Sequence, residues 1–268
     1  MKTKLFRRVS LGLGLAVLVT AALWLPPPVI GLFAAAWAAF ATLEFLALLR
    51  KAEILLNPWL LVPVNVLLSV AAYFRLLPAG LVAAIAIVWL FSVADRETRP
   101  RVPVYGAFVV FYLGFLPAHL VMLRGLAAAH GWLPWLVFFP LGLTWLADTV
   151  AWAAGSLFGR HQLAPTVSPK KTVEGYVAAL ALSAAASLAV LGRIAPFTRH
   201  PWWWLASVGL ALAALGQAGD LFESVFKRAV NAKDSSRTLG EHGGFLDRVD
   251  SLLFTLPAFY YLCLLAAR

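Results

Sequence analysis

The sequence predicts an all-α, polytopic integral membrane protein of about nine transmembrane helices, with its N-terminus in the cytoplasm. Three observations carry that prediction. Charged residues make up 13% of the chain, where a soluble domain carries roughly 25%. Apolar stretches of about 16 to 21 residues recur from end to end, the length needed to cross hydrocarbon. Basic residues also fall unevenly between the connections: 17 on the side of the N-terminus against 5 on the other, which places that side in the cytoplasm. In lipid every backbone amide needs a partner within the protein, which leaves helices or a closed barrel. Continuous apolar runs without period-two alternation choose helices.

The first span, 9–25, follows Lys2, Lys4, Arg7 and Arg8. Its run is long and "PPPV" follows without a small-x-small cleavage site, so it reads as an uncleaved span rather than a secretory signal. The second span, 29–49, ends at the solvated connection "RKAEILLNP". Spans 57–74 and 78–93 are short and contain proline, and "ADRETRPRVP" separates them from 103–123. Span 132–154 carries an acid, Asp148, near its cytoplasmic end; an ionisable side chain at that depth is a functional candidate by default. Span 174–192 follows "SPKKT", and span 202–219 opens on Trp202, Trp203 and Trp204, indoles that suit the outer lipid interface. Span 251–267 closes the chain and holds Cys263, whose solitude excludes an internal disulfide. No soluble domain fits between spans. The chain reads as one transmembrane domain, 1–268, with N-terminal helices to roughly 131 and a catalytic part from roughly 132. The net charge of +10 is explained by positive-inside bias and anionic lipid rather than nucleic acid.

Polar chemistry concentrates late. Residues 220–250, "DLFESVFKRAVNAKDSSRTLGEHGGFLDRVD", hold eleven charged side chains. If the eighth helix continues past the membrane, Asp220, Glu223, Ser224 and Lys227 share one face, being three, four and seven apart. Asp247, Asp250 and Ser251 repeat the spacing at the entry to the ninth span. Two antiparallel neighbours would then set carboxylates against each other, and a hard divalent cation such as Mg²⁺ relieves their repulsion. The competing reading is a solvated face in which the acids pair with Lys227, Arg228 and Arg248. Gly243 and Gly244 let backbone amides approach an anion, and Lys227, Arg228, Lys233 and Arg237 would neutralise phosphate oxygens. A second phosphate site is offered by Ser168, Lys170, Lys171 and Thr172, where Pro169 favours a turn or helix start and helix amides suit an anion. Both stretches follow an apolar span and lie at the same membrane face. Together they suggest metal-assisted phosphoryl chemistry.

Residues 224–250 resemble the signature of the phosphatidate cytidylyltransferase, or CDP-diacylglycerol synthase, family. That pattern runs S-x-x-K-R, four residues, K-D, then H-G-G-x-x-D-R-x-D. Ser224, Lys227, Arg228, Lys233, Asp234, His242, Gly243, Gly244, Asp247, Arg248 and Asp250 stand in register. "GDLFES" and "LAPTVSPKKTVEG" also look like family segments. Gly240, Val173 and Val150 depart from the pattern at positions that touch turn shape and packing. The resemblance implies transfer of CMP from CTP to phosphatidic acid, with pyrophosphate leaving. It implies catalytic roles for Asp220, Lys227, Asp247 and Asp250, and Mg²⁺ or Mn²⁺ on Asp220 and Asp247, with Glu223 and Asp148 as further metal candidates and K⁺ as a second cation. Lys227, Arg228, Lys233 and His242 would hold the triphosphate, and Ser168, Lys170 and Lys171 the other phosphate. It further implies a homodimer in a bacterial cytoplasmic membrane, with the site facing the cytoplasm. Two rivals differ in their consequences. A CTP-using lipid-alcohol kinase passes on a terminal phosphoryl group, and a transporter spreads its acids across the bilayer midplane.

Overall fold

The structure, a computed structural model, describes residues 26–94, 101–236, 238 and 243–268. The first predicted span, 9–25, and the candidates Arg237 and His242 lie outside the described residues.

Helix α1 runs Pro27–Lys51, α2 Pro58–Tyr73 and α3 Leu77–Ala94. Helix α4, Arg101–Val109, passes through a π-type turn at Val110–Phe115 into α5, Leu116–Ala129. Helix α6 spans Phe139–Phe158, α7 Val173–Leu191, α8 Trp202–Ala229 and α9 Asp250–Ala266. Prolines open α1 and α2, where a missing N–H costs nothing, and the Asn57 side chain caps α2 by accepting from Trp59 N at 2.9 Å. Thr172 caps α7 in the same way through Gly175 N.

Six of these helical stretches are long and apolar enough to cross a membrane: Pro27–Lys51, Leu77–Ala94, Arg101–Ala129, Pro134–Phe158, Val173–Leu191 and Trp202–Ala229. Pro58–Tyr73 and Asp250–Ala266 are shorter apolar helices that coincide with the remaining two predicted spans among the described residues. Large apolar side chains face outward along them, with Trp59 88% and Val93 85% exposed, as lipid-facing surfaces require. Trp202 and Trp203 are also exposed.

The bundle is continuous. Helix α1 packs on α2 and α5, α5 on α9, α9 on α8, and α7 lies between α6 and α8. Gly209 permits the α7–α8 crossing, because a Cβ there would collide with the Ser183 carbonyl oxygen. An aromatic cluster of Phe45, Phe108, Tyr112, Phe222, Phe226 and Phe254 joins α1, α4, α8 and α9.

One departure bears on the site. The connection from α6 to α7 contains an antiparallel hairpin, β1 (Gln162–Ala164) with β2 (Ser168–Thr172). Ser168, Lys170 and Lys171 therefore sit on a strand, and α7 begins only at Val173; they are not a helix start. Alternating side chains on a strand send neighbours to opposite faces, so adjacent Lys170 and Lys171 part company.

Candidate active site

Helix α8 continues well beyond the predicted span end, so Asp220, Glu223, Ser224 and Lys227 do share a helical face. Ser224 Oγ donates to Asp220 Oδ1 at 3.4 Å, and Lys227 Nζ lies 3.3 Å from Glu223 Oε1. The helix stops where Asn231 takes φ 53°, a left-handed conformation that asparagine tolerates, and the Ala232 amide bonds back to Lys227 O at 2.8 Å. The chain then folds back over the helix end.

Lysines bind the acids together. Lys171 on β2 reaches Asp220 Oδ2 at 2.5 Å, which explains why it turns inward while Lys170 is exposed. Lys227, 7% exposed, bridges Glu223 and Asp247, the latter at 2.7 Å. Asp247 also accepts from Ser235 N (2.9 Å), Ser235 Oγ (3.0 Å) and Gly244 N (2.7 Å). Burial alone would raise the Asp247 pKa, but the Lys227 hydrogen bond and charge, with the Gly244 and Ser235 amides, outweigh it and hold the carboxyl below its ordinary range. Gly243 and Gly244 are required by this close approach: a Cβ on Gly243 (φ 79°) would lie 2.7 Å from Asp247 Oδ2, and one on Gly244 would collide with Ser235 Oγ.

Asp250 is buried at the first turn of α9 and accepts from its neighbour's amide, Ser251 N, at 2.6 Å. Its charge acts on Asp220, Asp148 and Glu223, while Asp148 on α6 also feels Lys171 and Arg248. Asp148 opens onto a small cavity lined by Thr144, Tyr176 and Gln217. Five carboxylates thus gather with Lys171, Lys227 and Arg248, and acid remains in excess. Among the described residues neither oxygen of Glu223, which is fully buried, has a hydrogen-bond partner. Oxygen-only donors with surplus negative charge fit a hard divalent cation. Among the described residues no three His, Cys, Asp or Glu side chains converge closely enough to ligate an ion by themselves, so such an ion would draw ligands from phosphate or water as well.

The other candidates disperse. Arg228 donates from Nε to Val167 O at 2.9 Å and from Nη1 to Ala232 O at 3.3 Å, which ties the hairpin to the end of α8. Lys233 and Asp234 are exposed and, with Lys51, Ala232 and Ser236, line a cavity of about 470 Å³ beside the acid cluster's loop.

One residue went unflagged. Glu44 on α1 is buried, and its carboxylate accepts four hydrogen bonds from the loop that carries Gly244 and Asp247. The signal was present: it is the one acid in the span 29–49, and an acid within an apolar span is the same criterion that marked Asp148.

Fold and site together define a polytopic helical protein of membrane-spanning character with a carboxylate–ammonium centre where α8 ends and α9 begins. The family profile described as "Cytidylyltransferase family" matches residues 6–266, and the chain belongs to that family. It is similar to phosphatidate cytidylyltransferases of Staphylococcus aureus (strain COL), 44% identical over 121 residues, and of Staphylococcus haemolyticus (strain JCSC1435), 42% identical over 121 residues. In both cases the match covers 45% of this chain and 46% of the relative, so it spans about half the length of these curated relatives.

Proposed function

We propose that this protein transfers the cytidylyl group of CTP to phosphatidic acid, forming CDP-diacylglycerol and releasing pyrophosphate. The observation that carries the reading is the pairing of Lys171 with Asp220 and of Lys227 with Asp247 in one cluster that links β2, α8 and the turn before α9. Each pair couples a group that binds phosphate to one that binds a cation. The names of the staphylococcal relatives supply the substrate pair.

The attacking group is a phosphate oxygen of phosphatidic acid. It bonds to the α-phosphorus of CTP as the bond to the β-phosphate bridging oxygen breaks, and pyrophosphate departs with that electron pair. A phosphate monoester is largely ionised at neutral pH, so no general base is needed. The obstacle is repulsion between two anions, and catalysis is mainly positioning and charge neutralisation. Mg²⁺ held by Asp220 and Asp247, with Asp148 and Asp250 at hand, would supply positive charge to the triphosphate. Lys171 and Lys227, released from those acids, would take up phosphate oxygens. Lys233, exposed at the adjacent cavity, suits the triphosphate tail. Exposed Lys170, with Ser168 on the same hairpin, suits the lipid phosphate. The same acid cluster would also suit a second cation such as K⁺, and the reading includes a homodimer.

A headgroup anchored in lipid and a nucleotide dissolved in cytosol meet only at the cytoplasmic boundary of the membrane. The site therefore faces the cytoplasm, and the membrane of this reading is a bacterial cytoplasmic membrane. The test uses purified protein with phosphatidic acid, Mg²⁺ and CTP labelled either in cytidine or at the γ-phosphate. Cytidine label in the lipid is expected. Lipid labelled only from the γ-phosphate marks a kinase and overturns the reading.

A further inference from the structure

We infer that Glu44 is a positioning residue for this reaction, holding the loop that sets Asp247 against Lys227; the inference rests on the function proposed above. Its carboxylate lies on α1, and everything it bonds is more than 190 residues away. Oε1 accepts from Ser236 Oγ at 2.7 Å and Phe245 N at 2.9 Å. Oε2 accepts from Ser235 Oγ at 3.2 Å and Leu246 N at 2.8 Å. Three donors and the Ser235 hydroxyl, which shares its one proton between Glu44 and Asp247, fill the acceptor sites of an ionised carboxylate, a group that accepts only. A glutamine would turn its NH₂ toward one pair of those donors.

The same loop is gripped from its other side by Asp247, through Ser235 N, Ser235 Oγ and Gly244 N. Ser235 Oγ sits between the two carboxylates, 3.2 Å from Glu44 Oε2 and 3.0 Å from Asp247 Oδ2. A continuous chain of contacts therefore runs from Glu44 through Ser235 Oγ to Asp247, and from Asp247 to Lys227. Helix α1 adds an apolar hold on the same face: Trp37 and Phe40, seven and four residues before Glu44, place their rings 6.3 and 6.2 Å from that of Phe245.

A purely structural role for Glu44 would be to fasten α1 to the bundle. The bundle does not need it. Ile30, Ala34, Trp37, Ala41, Phe45 and Leu48 are buried along α1, which packs on α2 and α5. All four bonds of Glu44 go instead to the loop. Its loss frees the loop while leaving the helices packed, so substrate binding must first re-order the loop. The apparent affinity then falls by the fraction of time the loop keeps its clamped shape, and turnover of the bound complex changes little.

The experiment compares wild type, Glu44→Gln, Glu44→Asp and Ser236→Ala as full-length protein in detergent. It reads KM for CTP, kcat, apparent Tm and amide hydrogen exchange. For Glu44→Gln a rise in KM of about tenfold or more is expected from the loss of charge-assisted bonds, with kcat within about threefold. Exchange should accelerate over 243–247 and stay unchanged in α5 and α9. Glu44→Asp, still an acceptor-only group, should recover part of the KM. Ser236→Ala, which removes one donor, should shift it in the same direction by less and serves if Glu44→Gln fails to fold. Unchanged KM with unchanged loop exchange would overturn the inference. So would a lower Tm and faster exchange throughout at unchanged KM. If wild type makes no cytidine-bearing lipid, the proposed reaction fails, and the exchange arm alone still decides whether Glu44 holds the loop.

Discussion

Replacing Lys227 by methionine keeps the length and apolar body of the side chain and removes its charge. In the wild type that ammonium is 7% exposed and lies between Glu223, at 3.3 Å, and Asp247, at 2.7 Å. Among the described residues Glu223 has no hydrogen bond, and Lys227 is the cation beside it. Removing one partner of a buried ion pair costs about 3–5 kcal/mol, because the remaining charge stays desolvated. For a chain of this size each kcal/mol moves Tm by roughly 2–4 °C, so Lys227→Met should lower the apparent Tm in detergent by on the order of 10 °C. The double variant Glu223→Gln/Lys227→Met removes the stranded acid and should regain at least about 1 kcal/mol of that loss as coupling energy. Thermal retention of the folded peak on size exclusion measures wild type, Lys227→Met, Glu223→Gln and the double variant. A single variant that melts with wild type, or a double variant that is simply the sum of its singles, would refute the buried-pair reasoning. The sequence casts Lys227 as a phosphate-binding group; its burial adds a structural role, so folded yield and CTP use should fall together.

Two further outcomes follow from the loop. Gly244→Ala drives a methyl into Ser235 Oγ and to within 2.7 Å of Glu44 Oε2, an overpacking that costs about 1–3 kcal/mol. CTP use should collapse at near-normal expression, and adding Ser235→Gly should restore part of it; full activity in the single variant would mean that the loop is not held as described. The depressed pKa of Asp247 contributes stability that is complete above the ordinary Asp value of about 3.9 and is lost as pH falls through the lower folded value. The Tm gap between wild type and Asp247→Asn should therefore stay constant from neutral to mildly acidic pH and close only in strong acid. A gap that closes near neutrality would contradict the assigned partners.

Hydropathy made the helices legible because crossing hydrocarbon demands length and composition, both readable without knowing any neighbour. Helical spacing equally made the Asp220–Lys227 face legible, since i, i+3, i+4 and i+7 are local facts. What stayed hidden was long-range. The hairpin at 162–172 has strands of three and five residues, too short for a period-two signal, and its place is fixed by long-range attachments, Arg228 to Val167 O and Lys171 to Asp220. Arg228 looked like a phosphate ligand because a basic residue near glycines says nothing of which carbonyl it will meet. Lys171 differs from Lys170 only in which face of β2 it occupies, and the strand itself was unforeseen. Glu44 was the avoidable miss: a single acid in an apolar helix carries the same cost wherever it stands, but its partners lie in a loop almost two hundred residues on.

Synthesis of cytidine-bearing lipid by purified Asp220→Asn, set beside wild type at equal folded fraction, most directly tests whether the acid cluster performs the chemistry. Asparagine preserves the shape of the side chain while removing the charge that pairs with Lys171 and would hold the cation. Synthesis should fall by about a hundredfold or more, as expected when a group that stabilises transition-state charge is removed, with Tm close to that of wild type. Undiminished synthesis by Asp220→Asn would mean that the reaction is carried out elsewhere in the molecule.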